Sequence, residues 1–443
     1  MEDNRLGRDW DAPSLLRFAA PTIAMMLFMG LYTAVDTIFA ARFVGTYALS
    51  AINIVCPVVN VTVGLGTMLA TGGSAVISRE LGEGNTRSAC EDFTLLVIAA
   101  GAVGLALLAA GRLWMAPLLA ALKAEGPLLP YCRDYLGILL LFLPASLMQT
   151  LFANLFVTAG RPGLGFGLSA LAGGVNLLLD YLLMVPMGLG IRGAALGTGI
   201  GSMIPALAGL IYFSAARGPL VLVRPRWRRG MLWESCLNGC SEMVGQLASA
   251  VTTYLFNVTM LTRAGEDGVA AITILIYAQF LLNTLFFGFS MGVAPVIGFL
   301  YGQGNRPRLG RVFRICLCFL AAVSLPVFAA ARLFGPALIR LFAQPESVVY
   351  AMASAGFPVF AVSFLFCGFN IFTSAAFTAL SDGRTSAVLS FLRTFVLLAG
   401  GILLLPRLWG LEGVWLAVPA AEGGSLVVSV LCLAIRFLGD TRG

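Results

Sequence analysis

Leu15–Ala41 reads LLRFAAPTIAMMLFMGLYTAVDTIFAA. The stretch is apolar and long enough to cross a bilayer, because about 20 helical residues at 1.5 Å rise cover a hydrocarbon core of about 30 Å. Two residues interrupt it, Pro21 and the carboxylate of Asp36. A charge at the centre of such a helix costs roughly 2.5–3.5 kcal/mol on the insertion scale. A sequence that keeps Asp36 there is expected to use it.

The rest of the chain has the same character. Of 443 residues, 59% are hydrophobic and only 11% charged, and the mean hydropathy is +0.92. A soluble protein carries about 25% charged residues, so the expected class is an all-α polytopic membrane protein. A barrel is excluded because the apolar stretches run continuously and do not alternate. The net charge of +7 invites a nucleic-acid partner, but no basic stripe with interleaved aromatics accompanies it. The excess is better read as cytoplasmic arginine. Nine cysteines and no histidine leave no common zinc set. The cysteines, including Cys236/Cys240 one helical turn apart, read as small buried hydrophobes. Without histidine, proton chemistry falls to carboxylates.

Twelve apolar stretches follow one another, from 15–41 to 411–437. With the N-terminus in the cytoplasm, the cytoplasmic loops hold eighteen Lys and Arg against nine on the other side, with Arg393 left inside a span. Both termini are therefore expected in the cytoplasm, in a multi-pass protein of the inner (cell) membrane. The polar, acidic start MEDNRLGRDWDAPS is unlike a cleavable signal peptide, so the first span itself is the expected insertion signal. The densest basic loop, Arg217–Gly230 (RGPLVLVRPRWRRG), falls between spans six and seven and suits a linker at the membrane surface. Its simplest role is topology control, with lipid binding as a second reading. The resulting division is 1–214, a linker at 215–233, and 234–443.

The two halves repeat. AINIV at 51–55 matches AITIL at 271–275, and LGEGN at 81–85 matches YGQGN at 301–305, each at an offset of 220. Gly160–Pro162 matches Gly383–Thr385 at 223. Six spans, an even number, separate the copies, so they run in the same direction and are related by an axis along the membrane normal. Two six-helix bundles around a central cavity follow.

Few acids lie inside spans: Asp36, Asp180, Glu242 and Glu422. Asn176 and Asp180 are four apart and project from one helix face. Asn154 and Thr198 offer further neutral ligands in the same half. Two carboxylates with amide and hydroxyl oxygens make either a hard-cation site or a pair sharing a proton, since neighbouring carboxylates in a low-dielectric pocket do not both ionise cheaply. The bland alternative is a buried hydrogen bond joining helices. Glu422 is expected to pair with Arg393. The position 220 residues after Asp36 is Phe256, so the first span's acid is not repeated. No GxxxxGK[ST] loop for ATP is present.

At these residues the sequence resembles the multidrug and toxic compound extrusion (MATE) transporters of prokaryotic type. The carrying segments are Pro21-x14-Asp36, the LGEGN loop and Asn176-x3-Asp180-Tyr181. The resemblance covers essentially the whole chain. It implies a V of two bundles and a secondary antiporter, with no cofactor, that exports cationic or amphipathic compounds in exchange for protons or Na+. Asp36, Asn154, Asn176, Asp180 and Thr198 fall on the positions of the family's N-terminal cation site, where Na+ would take Asp36, Asn176 and Asp180. Pro21 falls at a bending point of the first span. Glu242 resembles a seventh-span glutamate of the sodium-coupled branch, whose tenth-span partner aspartate is replaced here by Asn370. Glu242 is then expected to meet cationic substrate, with Gln279 and Asn370 as polar neighbours. The expected partners are small organic compounds and membrane lipids, not nucleic acid, and the chain is expected to work as a monomer. Two other readings are a flippase for a lipid-linked precursor, which would need a basic cavity, and a membrane-embedded lipid-modifying enzyme, which would need clustered catalytic groups.

Overall fold

The computed structural model describes residues 5–39, 43–44, 46–215, 218–340 and 342–439. Of the residues counted for orientation, Arg42, Arg217 and Arg442 lie outside these, as do Ala40 and Ala41 at the end of the first apolar stretch. Everything described is helix or short connection, with no strand among the described residues.

Among the described residues, nine helical segments are long and apolar enough to cross a membrane, and a bent pair, Leu128–Leu141 with Leu143–Thr158, makes a tenth. Two of the nine are too long for one crossing: Arg229–Gly302 has 74 residues and Gly383–Arg436 has 54. At 1.5 Å per residue even the shorter would reach about 80 Å. Each reverses at a glycine in a conformation that L side chains avoid, Gly265 (φ 67°, ψ −158°) and Gly410 (φ 59°, ψ −133°). Twelve passes result. The first six are Ala12–Phe39, Thr46–Gly82, Thr86–Leu113, the bent pair, Pro162–Met184 and Ile191–Ser214. The second six are 229–264, 266–302, Arg306–Arg340, Val348–Ala379, 383–408 and 411–439.

The repeat seen in the sequence is also a repeat of backbone. Gly190 (φ 57°, ψ −133°), which opens the sixth span, adopts the torsions of Gly410, 220 residues on. Gly84 and Gly304, the last glycines of LGEGN and YGQGN, both have positive φ, 81° and 66°.

The halves meet where the second and eighth spans cross, and the contacts are reciprocal. A Cβ at Gly82 would collide with the carbonyl oxygen of Phe299, and one at Gly302 with that of Arg79. Phe299 and Arg79 are themselves 220 apart, so these are one contact made twice about a pseudo-two-fold axis. Gly72 lies against Gly239 in the seventh span, and its counterpart Gly292 lies against Ala19 in the first. Small residues let these backbones touch, which is how helices associate where no hydrophobic effect separates protein from lipid.

The crossing lies toward the face that carries the linker. Residues 218–228 run without helix across the end of the N-terminal bundle, with Leu220 buried. Leu222 N donates to Phe213 O (3.0 Å), and Val223 N to Thr94 Oγ1 (3.0 Å). Arg228 then reaches three acceptors, Asp92 Oδ2 (2.9 Å), Glu80 Oε1 (3.1 Å) and Ser88 Oγ (2.7 Å). The helix of the seventh span starts one residue later, at Arg229 rather than the expected 235, with the polar residues around Glu234 on its first turns. There Glu234 Oε1 accepts from Arg79 Nη1 at 2.6 Å and joins the two bundles. The N-terminal segment docks on the same face. Leu6 and Trp10 are buried, and Asp9 pairs with Arg308 at 2.8 Å.

Because the Gly302 contact is to backbone, which has no rotamer to move, Gly302→Val is expected to cost about 1–3 kcal/mol and to lower the melting temperature of the purified protein. Gly310→Ala, whose Cβ would meet nothing within 4 Å, is expected to leave it unchanged.

Candidate cation site and the polar networks of the two bundles

Asp36 and Asp180 come together near the face opposite the linker. Asp36 lies about 36 Å of helical rise after Ala12, three residues before Phe39, the last described residue of its helix. Asp180 is four residues from the end of the fifth span. The expectation that Asp36 sits at the centre of its helix is corrected: the first helix starts early, capped by reciprocal hydrogen bonds between Asp11 and Ser14, and this places Asp36 on its last turns. The two carboxyl groups lie next to each other. An ionised carboxylate only accepts, so a hydrogen bond between them would need one proton held by the pair.

Around this pair the fifth and sixth spans supply oxygen and nitrogen. Asn176 Nδ2 donates to Asp180 Oδ1 (3.5 Å) and to Thr198 Oγ1 (3.4 Å), and Thr198 Oγ1 donates back to Ala194 O (3.1 Å). Asp180 is completely buried and Asn176 nearly so. Close approach of the sixth span depends on Gly197, where any Cβ would strike Asp180 Oδ1. Tyr135, from the first half of the bent fourth span, is buried within electrostatic reach of both carboxyls, and Tyr32 sits one turn before Asp36. Three oxygens stay buried without a hydrogen-bond partner: Asp36 Oδ1, Asp180 Oδ2 and Asn176 Oδ1. Unmet acceptors converging from two spans are what a proton or a hard cation would satisfy. The donor set fits Na+ in kind, all oxygen from carboxylates and an amide.

Of the expected residues, Asp36, Asn176, Asp180 and Thr198 are thus gathered, and Asn154 is not. Its amide donates to Thr150 O (3.2 Å) on its own helix. The bend at Phe142 brings the first half of the fourth span, with Tyr135, toward the acids. Sequence pattern gives no sign of Tyr135, since an isolated tyrosine in an apolar helix is ordinary.

The C-terminal bundle resolves its charges differently. Glu422 Oε1 accepts from Arg393 Nη2 (2.6 Å) and Nε (3.0 Å), the pairing expected from sequence. Asn370 Nδ2 donates to Glu422 Oε2 (2.7 Å) and to its backbone oxygen (2.9 Å), while Ser429 Oγ donates to Asn370 Oδ1 (3.0 Å). Arg393 lies in a widened π-helical stretch, Leu392–Leu398, a local form often found at functional positions. Glu422 and Ser429 thus engage both ends of the Asn370 amide, the residue expected beside Glu242 and Gln279. No hydrogen bond or ion pair is described for Glu242 or Gln279. Asn257, one residue past the counterpart of Asp36, holds a buried oxygen with no partner.

The MatE family model matches residues 21–182 and again 243–401, once in each bundle and over more than two thirds of the chain. The chain belongs to this family of membrane transporters. It is 23% identical over 431 residues to Multidrug export protein MepA of Staphylococcus aureus, covering 96% of this chain and 94% of that one. MepA of Staphylococcus haemolyticus is 23% identical over 411 residues, 92% of this chain and 90% of the relative. Among solved structures, the fold is similar to an outward-facing multidrug resistance MATE transporter (TM-score 0.94, 22% identity, 100% of this chain and 99% of that one). It is also similar to a MATE protein in complex with MaL6 (TM-score 0.95, 21% identity, 100% of both chains).

The C-terminal network makes a testable claim. Arg393→Leu leaves Glu422 buried without its cation and is expected to cost about 3–5 kcal/mol, whereas the double change Arg393→Leu/Glu422→Leu is expected to recover most of that loss. Melting curves of the three proteins check it.

Proposed function

We propose that this transporter is a secondary antiporter exporting cationic or amphipathic organic compounds from the cytoplasm, driven by protons or Na+ entering through the Asp36/Asp180 site. The observation that carries the reading is the adjacent carboxyl pair, whose Asp36 Oδ1 and Asp180 Oδ2 are buried and unmet together with Asn176 Oδ1 beside them. A site of that kind has two well-separated states, filled and empty. Its ion shifts the balance between open forms because it binds one of them better.

The linker face is taken as cytoplasmic, with both termini on it in the inner membrane, on the arginine excess of that side. The glycine crossing and the Arg79–Glu234 and Arg228 contacts then close the cytoplasmic side, and the ion site lies toward the outside. This is the arrangement expected of an outward-facing form. Pro21 is a natural lever in the first span. Proline lacks an N–H, so the carbonyl of Arg17 loses its helical donor, and the next residue, Thr22, is buried with an unpartnered hydroxyl, its backbone oxygen packed against Gly288. A lipid-linked anionic precursor is a weaker fit, since Arg393, inside the C-terminal bundle, is spent on Glu422.

The test uses purified protein in liposomes, with a proton gradient or a Na+ gradient imposed alone and efflux of a fluorescent organic cation as the readout. Asp36→Asn is expected to insert and melt like the native chain and to lose exchange by at least about a hundred-fold, the scale of a misplaced reacting group. Unchanged efflux by this variant ends the proposal. A second variant addresses substrate: Glu242→Gln is expected to weaken the apparent affinity for divalent organic cations by about ten-fold, or about 1.4 kcal/mol, while sparing neutral amphipaths. Equal effects on both classes remove Glu242 from substrate recognition.

A further inference from the structure

Beneath the linker, at the end of the N-terminal bundle, two acids are buried together. Asp92, on the second turn of the third span, is completely buried, and Glu80, two residues before the end of the second, is 6% exposed. One nitrogen, Arg228 Nη1, reaches both of them, so the two carboxyls lie next to each other. Ser88 Oγ donates to Glu80 Oε1 (3.0 Å), the oxygen that Arg228 also engages. That leaves Glu80 Oε2 and Asp92 Oδ1 buried with no hydrogen-bond partner.

The charges do not close either. Two carboxylates face one guanidinium, whose side chain is 43% exposed and so partly screened by water. The other charges within reach stand on the same two helices. Glu91 adds to the negative side but is answered by Arg87 (3.1 Å), and Arg79 is taken by Glu234 and Glu83. With both acids ionised, one carboxylate would lie out of water without a counter-charge, which is costly. A hard divalent cation takes about six or more oxygens, and only these two are unmet. A proton needs no more than two. On either orphaned oxygen it makes a donor, and the neighbouring carboxyl accepts.

We propose that Glu80 and Asp92 share a proton while the linker is docked, a second protonation site at the opposite end of the N-terminal bundle from Asp36 and Asp180. When the linker lifts, Arg228 leaves and water reaches both carboxyls. Neighbouring carboxylates repel only weakly in water, and near neutral pH both ionise, well above their ordinary range. The proton passes to that water. The docked form therefore holds one proton more than the open form, so falling pH on the linker face favours docking and rising pH favours release. Because Arg228 stands one residue before the seventh span, this proton is tied to the opening of the whole face, whichever ion drives the cycle.

A reporter is already in place. Cys90 is buried under the linker, its thiol donating to Pro219 O (3.5 Å). The experiment uses the purified full chain in nanodiscs with a maleimide, and reads modification of Cys90 by peptide mass spectrometry in native protein and in Asp92→Asn. Taking the ratio of the two rates at each pH cancels the thiol's own titration. The variant keeps an oxygen for Arg228 but has no surplus charge, so its docked linker has no proton to lose. The native-to-variant ratio is expected to be level at about pH 6 and to rise about ten-fold by about pH 8.5, the sense set by one proton lost on opening. The infrared difference spectrum, native minus variant, is expected to show a protonated-carboxyl band at neutral pH. If Asp92→Asn does not fold, Glu80→Gln carries both comparisons. A ratio that stays flat or falls as the pH rises overturns the proposal, and so does absence of the band.

Discussion

A charge buried in a membrane protein finds no water, so it is answered by another group of the same chain or by an ion. This constraint is met in three ways here. Asp36 and Asp180 lie side by side and keep unmet oxygens, the arrangement on which the proposed ion site rests. Glu422 is matched completely by Arg393 and Asn370. Glu80 and Asp92 are joined by Arg228, which arrives from the linker rather than from a span. The folded repeat is close to symmetric in backbone but not in charge. In the C-terminal bundle the chain's own guanidinium takes the role that a free ion would take in the other.

The mechanical consequences follow from where these groups sit. The linker up to Val223 is bonded to the N-terminal bundle, and Arg228 fastens its far end there as well, one residue before the seventh span begins. Any rotation of the seventh span away from the second has to break Arg79–Glu234, free Arg228, or stretch the short exposed segment between 224 and 228. The reciprocal glycine crossing acts in the same place. Backbone packed on backbone has no rotamers through which to yield gradually, so the face is expected to be either closed or open, as packed interfaces tend to be.

Much of the site was legible from spacing. Asn176 and Asp180 four residues apart had to share a helix face, and an acid at Asp36 in an otherwise apolar span called for a partner. What pairwise spacing did not carry was the company from other elements. Tyr135 enters because the fourth span bends at Phe142, and Gly197 matters because the sixth span leans on Asp180 without a Cβ between them. Asn154 has the right chemistry but faces its own helix, and Asn370 was drawn to Glu422 rather than Glu242. Side-chain direction depends on how each helix is rotated against its neighbours, which residue type alone does not record.

The sequence by itself determined the class, the twelve crossings and the duplication. Hydrocarbon thickness sets how long each apolar run has to be, and a fixed offset of 220 survives as plain letter identity. It also marked Asp36, Asp180, Glu422 and Arg393 as charges needing partners, because burial of charge is costly wherever the chain goes. Only the tertiary structure decided which partners they received, that the bundles touch through glycines on the linker face, and that Arg228 is fastened there. Those outcomes depend on helix rotation, bend and crossing, each the sum of many small packing terms spread over both halves and none of them local in sequence.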